Sequence, residues 1–122
     1  MGEKTLTDEV RRSTEKTRAA VVAIWEKYSG TLFERVALLE RATSALREGS
    51  LSEELRRDAE MEAHKLAGSL GTFGLPEGSK LAGEIEMIFQ PEGPRNHVEK
   101  HRLSELLGSL RKELERGPAG AG

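Results

Sequence analysis

The feature that most constrains this chain is a run of apolar positions stepping by three or four without interruption. From Val21 through Ile24/Trp25, Tyr28, Leu32, Val36 and Leu39 to Thr43 and Leu46, every step keeps to one face of a helix. The phase survives Ser29-Gly30-Thr31 without a jump, which two helices joined by a turn would not be expected to do. The pattern therefore predicts one long helix from about Asp8 to Arg47, with Val10 on the same stripe. The alternative is a bend or a break at Ser29-Gly30. Trp25 and Tyr28 are expected in the core or as its cover. Residues 1–7 read as a frayed N-terminus, with Thr5 or Thr7 capping the helix ahead of Asp8 and Glu9.

Turn and cap signals divide the rest into three shorter helices. Glu48-Gly49-Ser50 ends the first helix, with Gly49 in the left-handed position. Ser50 and Glu53 read as a capping box opening a second helix that runs to about Phe73. Its Leu55, Ala59, Ala63, Leu66, Leu70 and Phe73 share one side. Gly74 supplies a left-handed residue, Leu75 can pack back on Leu70, and Pro76 suits the first turn of a third helix. That helix is expected to bury Leu81, Ile85 and Ile88 and to end near Phe89, before the stop Pro91-Glu92-Gly93-Pro94. A fourth, capped by Asn96 with Glu99, should bury Val98, Leu103, Leu106/Leu107, Leu110 and Leu114 and end near Arg116. Residues 117–122, rich in Gly, Ala and Pro, read as a flexible tail or linker with nothing to bury. The expectation is an all-α fold: an antiparallel up-down four-helix bundle with a long first helix, over residues 8–116.

Composition excludes several function classes. A chain of 122 residues is one domain by length and can bury a real core. With no cysteine it has no disulfide, thiolate metal site or cysteine nucleophile. No apolar run approaches the length of a membrane span, and the acidic start is not a signal peptide, so a cytoplasmic protein is the default expectation. Charged residues are 33% of the chain but the net charge is only −2, with both signs interleaved. A nucleic-acid binder would want a basic stripe, so no nucleic-acid partner is expected.

The chemistry concentrates in Ala63-His64-Lys65-Leu66-Ala67-Gly68-Ser69-Leu70-Gly71-Thr72-Phe73-Gly74. His64 lies off the apolar stripe, and the residues sharing its own face are Ala67, Gly68 and Gly71. Each glycine inside a helix costs roughly 1 kcal/mol against alanine. Clearing side chains from around an exposed imidazole, so that another protein can approach the ring, is a gain that would offset that cost. The hairpin turning at Gly74-Leu75-Pro76 places Ala67 opposite Gly83, and His64 level with Glu86. Without further information, a solvated surface glutamate is the favoured reading of Glu86, and a lone surface histidine that of His64. His97 and His101 are spaced as half of a metal site, but no third ligand is placed and a solvated surface is favoured. No metal is expected.

The run His-x-Leu-x-Gly followed by small residues, then Thr-Phe-Gly and a helix ending Leu-Ala-Gly-Glu-Ile-Glu, resembles the histidine-containing phosphotransfer (HPt) domain. The match is specific over about residues 62–86 and general in helix pattern elsewhere. The resemblance implies a four-helix bundle carrying a phosphoryl group on one exposed histidine in multistep His-Asp relays, with no autonomous kinase or phosphatase activity. It implies His64 as the phosphorylated residue and Glu86 as the group that fixes its tautomer. Lys65, Ala67, Gly68 and Gly71 would form the partner-docking face. Lys65 and Lys80 are candidates for an acidic partner face or, as easily, ordinary solvated lysines. The family usually has a lysine three residues after the histidine, where this chain has Ala67.

The resemblance also implies partners: the receiver domain of a response regulator or of a hybrid sensor kinase. A carrier needs a neutral imidazole nitrogen as nucleophile, and an exposed imidazole is mostly neutral at pH 7. In-line transfer is mostly positioning and charge neutralisation, so the domain needs no cofactor of its own; the Mg²⁺ is expected on the receiver. No DxD, HExxH or glycine-rich phosphate loop occurs. A monomer is expected, free-standing or as a module fused to receiver or nucleotide-cyclase-type output domains. Two rivals remain open at this point. One is an interaction module that binds receiver or output domains without carrying phosphate, which Ala67 favours. The other is a dimerising kinase-type bundle.

Overall fold

Four helices follow in order in a computed structural model that describes residues 2–118: α1 (Gly2–Arg47), α2 (Glu53–Thr72), α3 (Pro76–Phe89) and α4 (His97–Arg116). Each packs on its neighbours in the chain and α1 closes on α4; among the described residues no helices pack across the diagonal. Cross-helix pairs give the direction. Arg35 meets Glu62 while Trp25 meets Phe73, so α1 and α2 are antiparallel. Arg111 meets Glu40 while Ser104 meets Arg47, so α1 and α4 are antiparallel too. The fold is the expected bundle with a long first helix. Its core is Val36 and Leu39 of α1, Leu66 and Leu70 of α2, Ile85, Ile88 and Phe89 of α3, and Leu103, Leu110 and Leu114 of α4, all nearly solvent-free. Each such side chain stabilises the fold by roughly 1.5–3 kcal/mol of transfer free energy.

The long helix is unbroken through Ser29-Gly30, which decides between the two readings of that segment. It begins earlier than the sequence predicts, at Gly2, so neither Thr5 nor Thr7 stands at its N-terminus; Met1 lies outside the described residues. With 46 residues α1 is ~69 Å long against ~30 Å for α2. The two come level at Trp25, whose ring meets Phe73 edge-on at 5.2 Å, one residue past the end of α2. Nothing in α2 reaches back beyond that contact. Val10, expected on the buried stripe, is accordingly exposed; Ile24 is exposed because it points ~100° away from its neighbour Trp25. Tyr28 is exposed as well, because α4 stops at Arg116 before coming level with it, and Lys27 lies over its ring instead. Trp25 is buried as expected.

Three further expectations are corrected. The N-cap of α2 is Ser52, whose hydroxyl accepts from the Leu55 N–H, and not Ser50. Ser50 is engaged in closing α1: Gly49 turns left-handed (φ 73°) and the Ser50 N–H donates to the Ala45 carbonyl. Val98 is exposed, since five residues before Leu103 is ~140° away from the stripe that α4 buries. At the other end, Gly117 and Pro118 are buried rather than free: Pro118 shares a cavity of about 420 Å³ with Thr14, Val21, Phe73 and Gly74. The remainder of the expected tail, 119–122, lies outside the described residues.

The turn that positions the site forms as its residues dictate. Gly74 takes φ 76°, the Leu75 N–H donates to the Leu70 carbonyl, and Leu75 is buried. Gly78, at the start of α3, lets that helix sit close to Leu70, where a Cβ would come within 3.1 Å of the Leu70 Cδ1. Asn96 caps α4 through the Glu99 N–H, as its sequence predicts.

Candidate functional site

α2 buries Ala59, Ala63, Leu66 and Leu70, and this leaves His64 on the outer side of the helix with its side chain 75% exposed. The short turn fixes α3 against α2, and Nδ1 of His64 comes 3.0 Å from Oε2 of Glu86. A carboxylate only accepts, so Nδ1 carries the proton and donates. Glu86 is itself only 24% exposed, which limits how far its carboxylate can wander. The two nitrogens of an imidazole point in nearly opposite directions. Nε2 therefore faces away from α3, and among the described residues nothing hydrogen-bonds to it.

The glycines beside His64 are not there for packing. A Cβ on Gly68, one turn further along, would meet nothing within 4 Å, and on Gly71 it would make only ordinary contact with the Ser79 hydroxyl at 3.5 Å. Their helical cost brings no tighter core; Gly68 leaves open the groove that the His64 ring borders, while the space at Gly71 lies toward Ser79 of α3. Ala67 sits differently from the expected docking face. It is half-buried against the core, and its carbonyl accepts from Ser79 Oγ at 2.7 Å, so it belongs to the α2–α3 seam. Gly83, expected opposite it for close approach, would have open space around a Cβ and is not required by packing.

Toward α1 the ring borders a groove of about 570 Å³ lined by Arg35, His64, Lys65, Gly68, Ser69 and Thr72 among others. Lys65 is half-exposed, and its Nζ lies 3.5 Å from Glu62 Oε1. The other oxygen of Glu62 takes Nε of Arg35 at 3.1 Å. Lys80 is exposed on α3 and is not part of this groove. Arg35 is the residue that sequence reasoning missed. Its one signal is a cation immediately before Val36 of the buried stripe, and only the α1–α2 register brings it to the groove.

Elsewhere several charged groups are tied down. Arg56 is buried at the other end of α2. Its guanidinium donates to Glu53, to Glu60 and to the Phe89 carbonyl, which raises its pKa still further above the physiological range. The hydrogen bond from Arg56 in turn holds the Glu53 carboxyl below the usual carboxylate range. On α4, Arg111 grips both oxygens of Glu40, and those hydrogen bonds raise its pKa. His101 pairs with Glu105 at 2.9 Å, and His97 is exposed at the first position of α4. Among the described residues no three His, Cys, Asp or Glu side chains are grouped to hold a metal ion. No helix among them is long and apolar enough to cross a membrane.

A comparison with protein families matches residues 23–117 to the model described as the Hpt domain. That span begins just before Trp25 and takes in all of α2, α3 and α4, and it leaves out the part of α1 that overhangs the bundle. Comparison with curated proteins and with solved structures gives no match.

Proposed function

The chain belongs to the Hpt domain family, and from that premise we propose that His64 is the residue on which it carries phosphate. Membership gives the role: histidine phosphotransfer within a phosphorelay, as an intermediate and not as a catalytic enzyme, with receiver domains as the typical partners of the family. The observation that carries the assignment of His64 is its combination of exposure and fixation. The ring is three-quarters exposed under an open face, and yet Glu86 holds Nδ1 at 3.0 Å.

The step this geometry serves balances as follows. The lone pair of Nε2 attacks the phosphorus of an aspartyl phosphate in line with the departing oxygen. The N–P bond forms as the P–O bond breaks, and its electron pair leaves with the aspartate as a free carboxylate. The Nδ1 proton stays on the ring, and Glu86 offsets the positive charge that the imidazole acquires. Reversal returns the phosphoryl group to a receiver. His64 does this without a base of its own, because the nucleophile is a neutral nitrogen. The Mg²⁺ that neutralises the phosphoryl oxygens in the transfer belongs to the receiver, and the domain itself holds no cofactor. Gly68 gives the receiver's active site room to close over the ring, with Lys65 at the edge of that contact. The domain acts as a monomer in the cytoplasm.

The test is transfer from a panel of phosphorylated receiver domains to the wild-type protein and to His64→Gln, read by mass shift and by acid lability of the product. Transfer to the wild type alone is expected, and the ranking of the panel begins to name the partner. Binding of receivers with no transfer from any of them would overturn the assignment in favour of an interaction module that carries no phosphate.

A further inference from the structure

We propose that Arg35 of α1 is this chain's own counter-charge for the phosphoryl group on His64, an inference that rests on the reading of His64 as the acceptor. A phosphoryl group brings between one and two negative charges to Nε2. It arrives beside Glu86, which already holds the other ring nitrogen, so an uncompensated phosphoryl group would face a like charge across the ring. The groove on the far side of the ring is where cations stand. Arg35 and Lys65 both line it with His64, and Gly68 puts no side chain in the way.

Arg35 suits the task better than Lys65. Its side chain is 25% exposed, against 47% for Lys65, so its charge is less screened and its position better defined. Nε is committed to Glu62 at 3.1 Å, which anchors the guanidinium plane. Nη1 makes only a long contact of 3.5 Å with the Ser69 hydroxyl, at the outer limit for a hydrogen bond. The remaining N–H groups are engaged by none of the described residues. A guanidinium held at one edge and free at the other is arranged to accept an oxyanion without first breaking its ion pair. Lys65, on a flexible stem, follows as the second cation.

The intact 122-residue protein can be tested with a small phosphodonor, so that no partner has to be known. Phosphoramidate transfers its phosphoryl group to an imidazole nitrogen and releases ammonia. The rate of labelling is read by mass, the site by peptide mapping, and the ionisation of the attached phosphoryl group by ³¹P NMR against pH. Arg35→Gln is expected to slow labelling roughly three- to tenfold. It should also raise the midpoint of the phosphoryl ionisation by about half a unit, since the neighbouring cation favours the dianion. Arg35→Lys should fall between the two. Arg41→Gln, which removes an exposed charge from the same helix, should match the wild type. If Arg35→Gln is too unstable to handle, the pair Arg35→Gln with Glu62→Gln, compared with Glu62→Gln alone, carries the same expectation without a stranded carboxylate. Label on His64 with an unchanged rate and midpoint in Arg35→Gln would overturn the role of Arg35 and leave His64 in place. Label on His97 or His101, or none sensitive to His64→Gln, would remove the premise itself.

Discussion

Arg56 and His64 sit eight residues apart on one helix and are treated in opposite ways by the fold. Arg56 is 5% exposed, and its guanidinium is shared among Glu53, Glu60 and the Phe89 carbonyl, pinning α2 to the end of α3. His64 is 75% exposed and holds one partner through one nitrogen, leaving the other free. The difference separates a charged side chain whose donors are spent on holding the structure together from a ring left with one nitrogen open to solvent. A buried cation is tolerable only when its donors are satisfied, and satisfied donors have nothing left to offer a substrate. An exposed ring costs little to leave partly unpaired, and a single carboxylate is enough to orient it.

The contrast can be broken most directly at His64. His64→Gln should abolish receiver-dependent phosphorylation while moving stability by less than about 0.5 kcal/mol, measured by urea unfolding; phosphorylation that persists would show that the exposed ring is not the acceptor. Gly68→Gln should come next, lowering transfer from a receiver more than about tenfold by filling the space over the ring. The same substitution should add about 0.5–1 kcal/mol to stability, because it replaces a helical glycine with nothing packed against it. Labelling by phosphoramidate, a donor small enough to pass a glutamine, should change far less. Equal loss with both donors would mean that the glycine serves the ring and not the partner.

Glu86→Ala should slow transfer roughly tenfold without abolishing it, since it removes the orientation of Nδ1 but leaves the nucleophile. An unchanged rate would take Glu86 out of the site. The smallest effect on transfer is expected at the other end of the helix. Arg56→Met should lower the melting temperature yet leave the labelling rate of the folded protein unaltered. Its signature is in pH. Glu53 titrates below the usual carboxylate range in the folded protein, so the stabilisation it provides is complete above that range and lost as the pH falls through its depressed value. Acid unfolding followed by circular dichroism should therefore lose part of its slope in Arg56→Met. An identical slope would show that the pair does not stabilise the fold.

Much of this was legible in the residues because it is local. Helical periodicity put His64 off the apolar stripe, and Gly74-Leu75-Pro76 made a turn too short to allow α2 and α3 more than one register. Glu86 could thus be placed level with His64 by counting along the hairpin, and the two side chains do meet. The cap of α2 was misleading locally: the Ser50–Glu53 spacing points to Ser50, but the closure of α1 claims that residue and Ser52 caps instead. Val98 is apolar, yet its angle on α4 sets it ~140° from the buried stripe, and the angle decides its exposure.

By itself, then, the sequence determined four helices, the places where they turn, the face on which His64 stands and the level of Glu86 beside it; that the two side chains meet is seen only in the structure. The tertiary structure alone decided how far α1 slides along the bundle. An apolar stripe sets which side of a helix is buried but not its axial position, since a shift of one turn, ~5.4 Å, presents the same face again. That position was fixed by contacts distant in sequence, with Trp25 against Phe73 and Glu40 against Arg111. From it follow the exposure of Val10 and Tyr28, the burial of Pro118, and the presence of Arg35 beside His64.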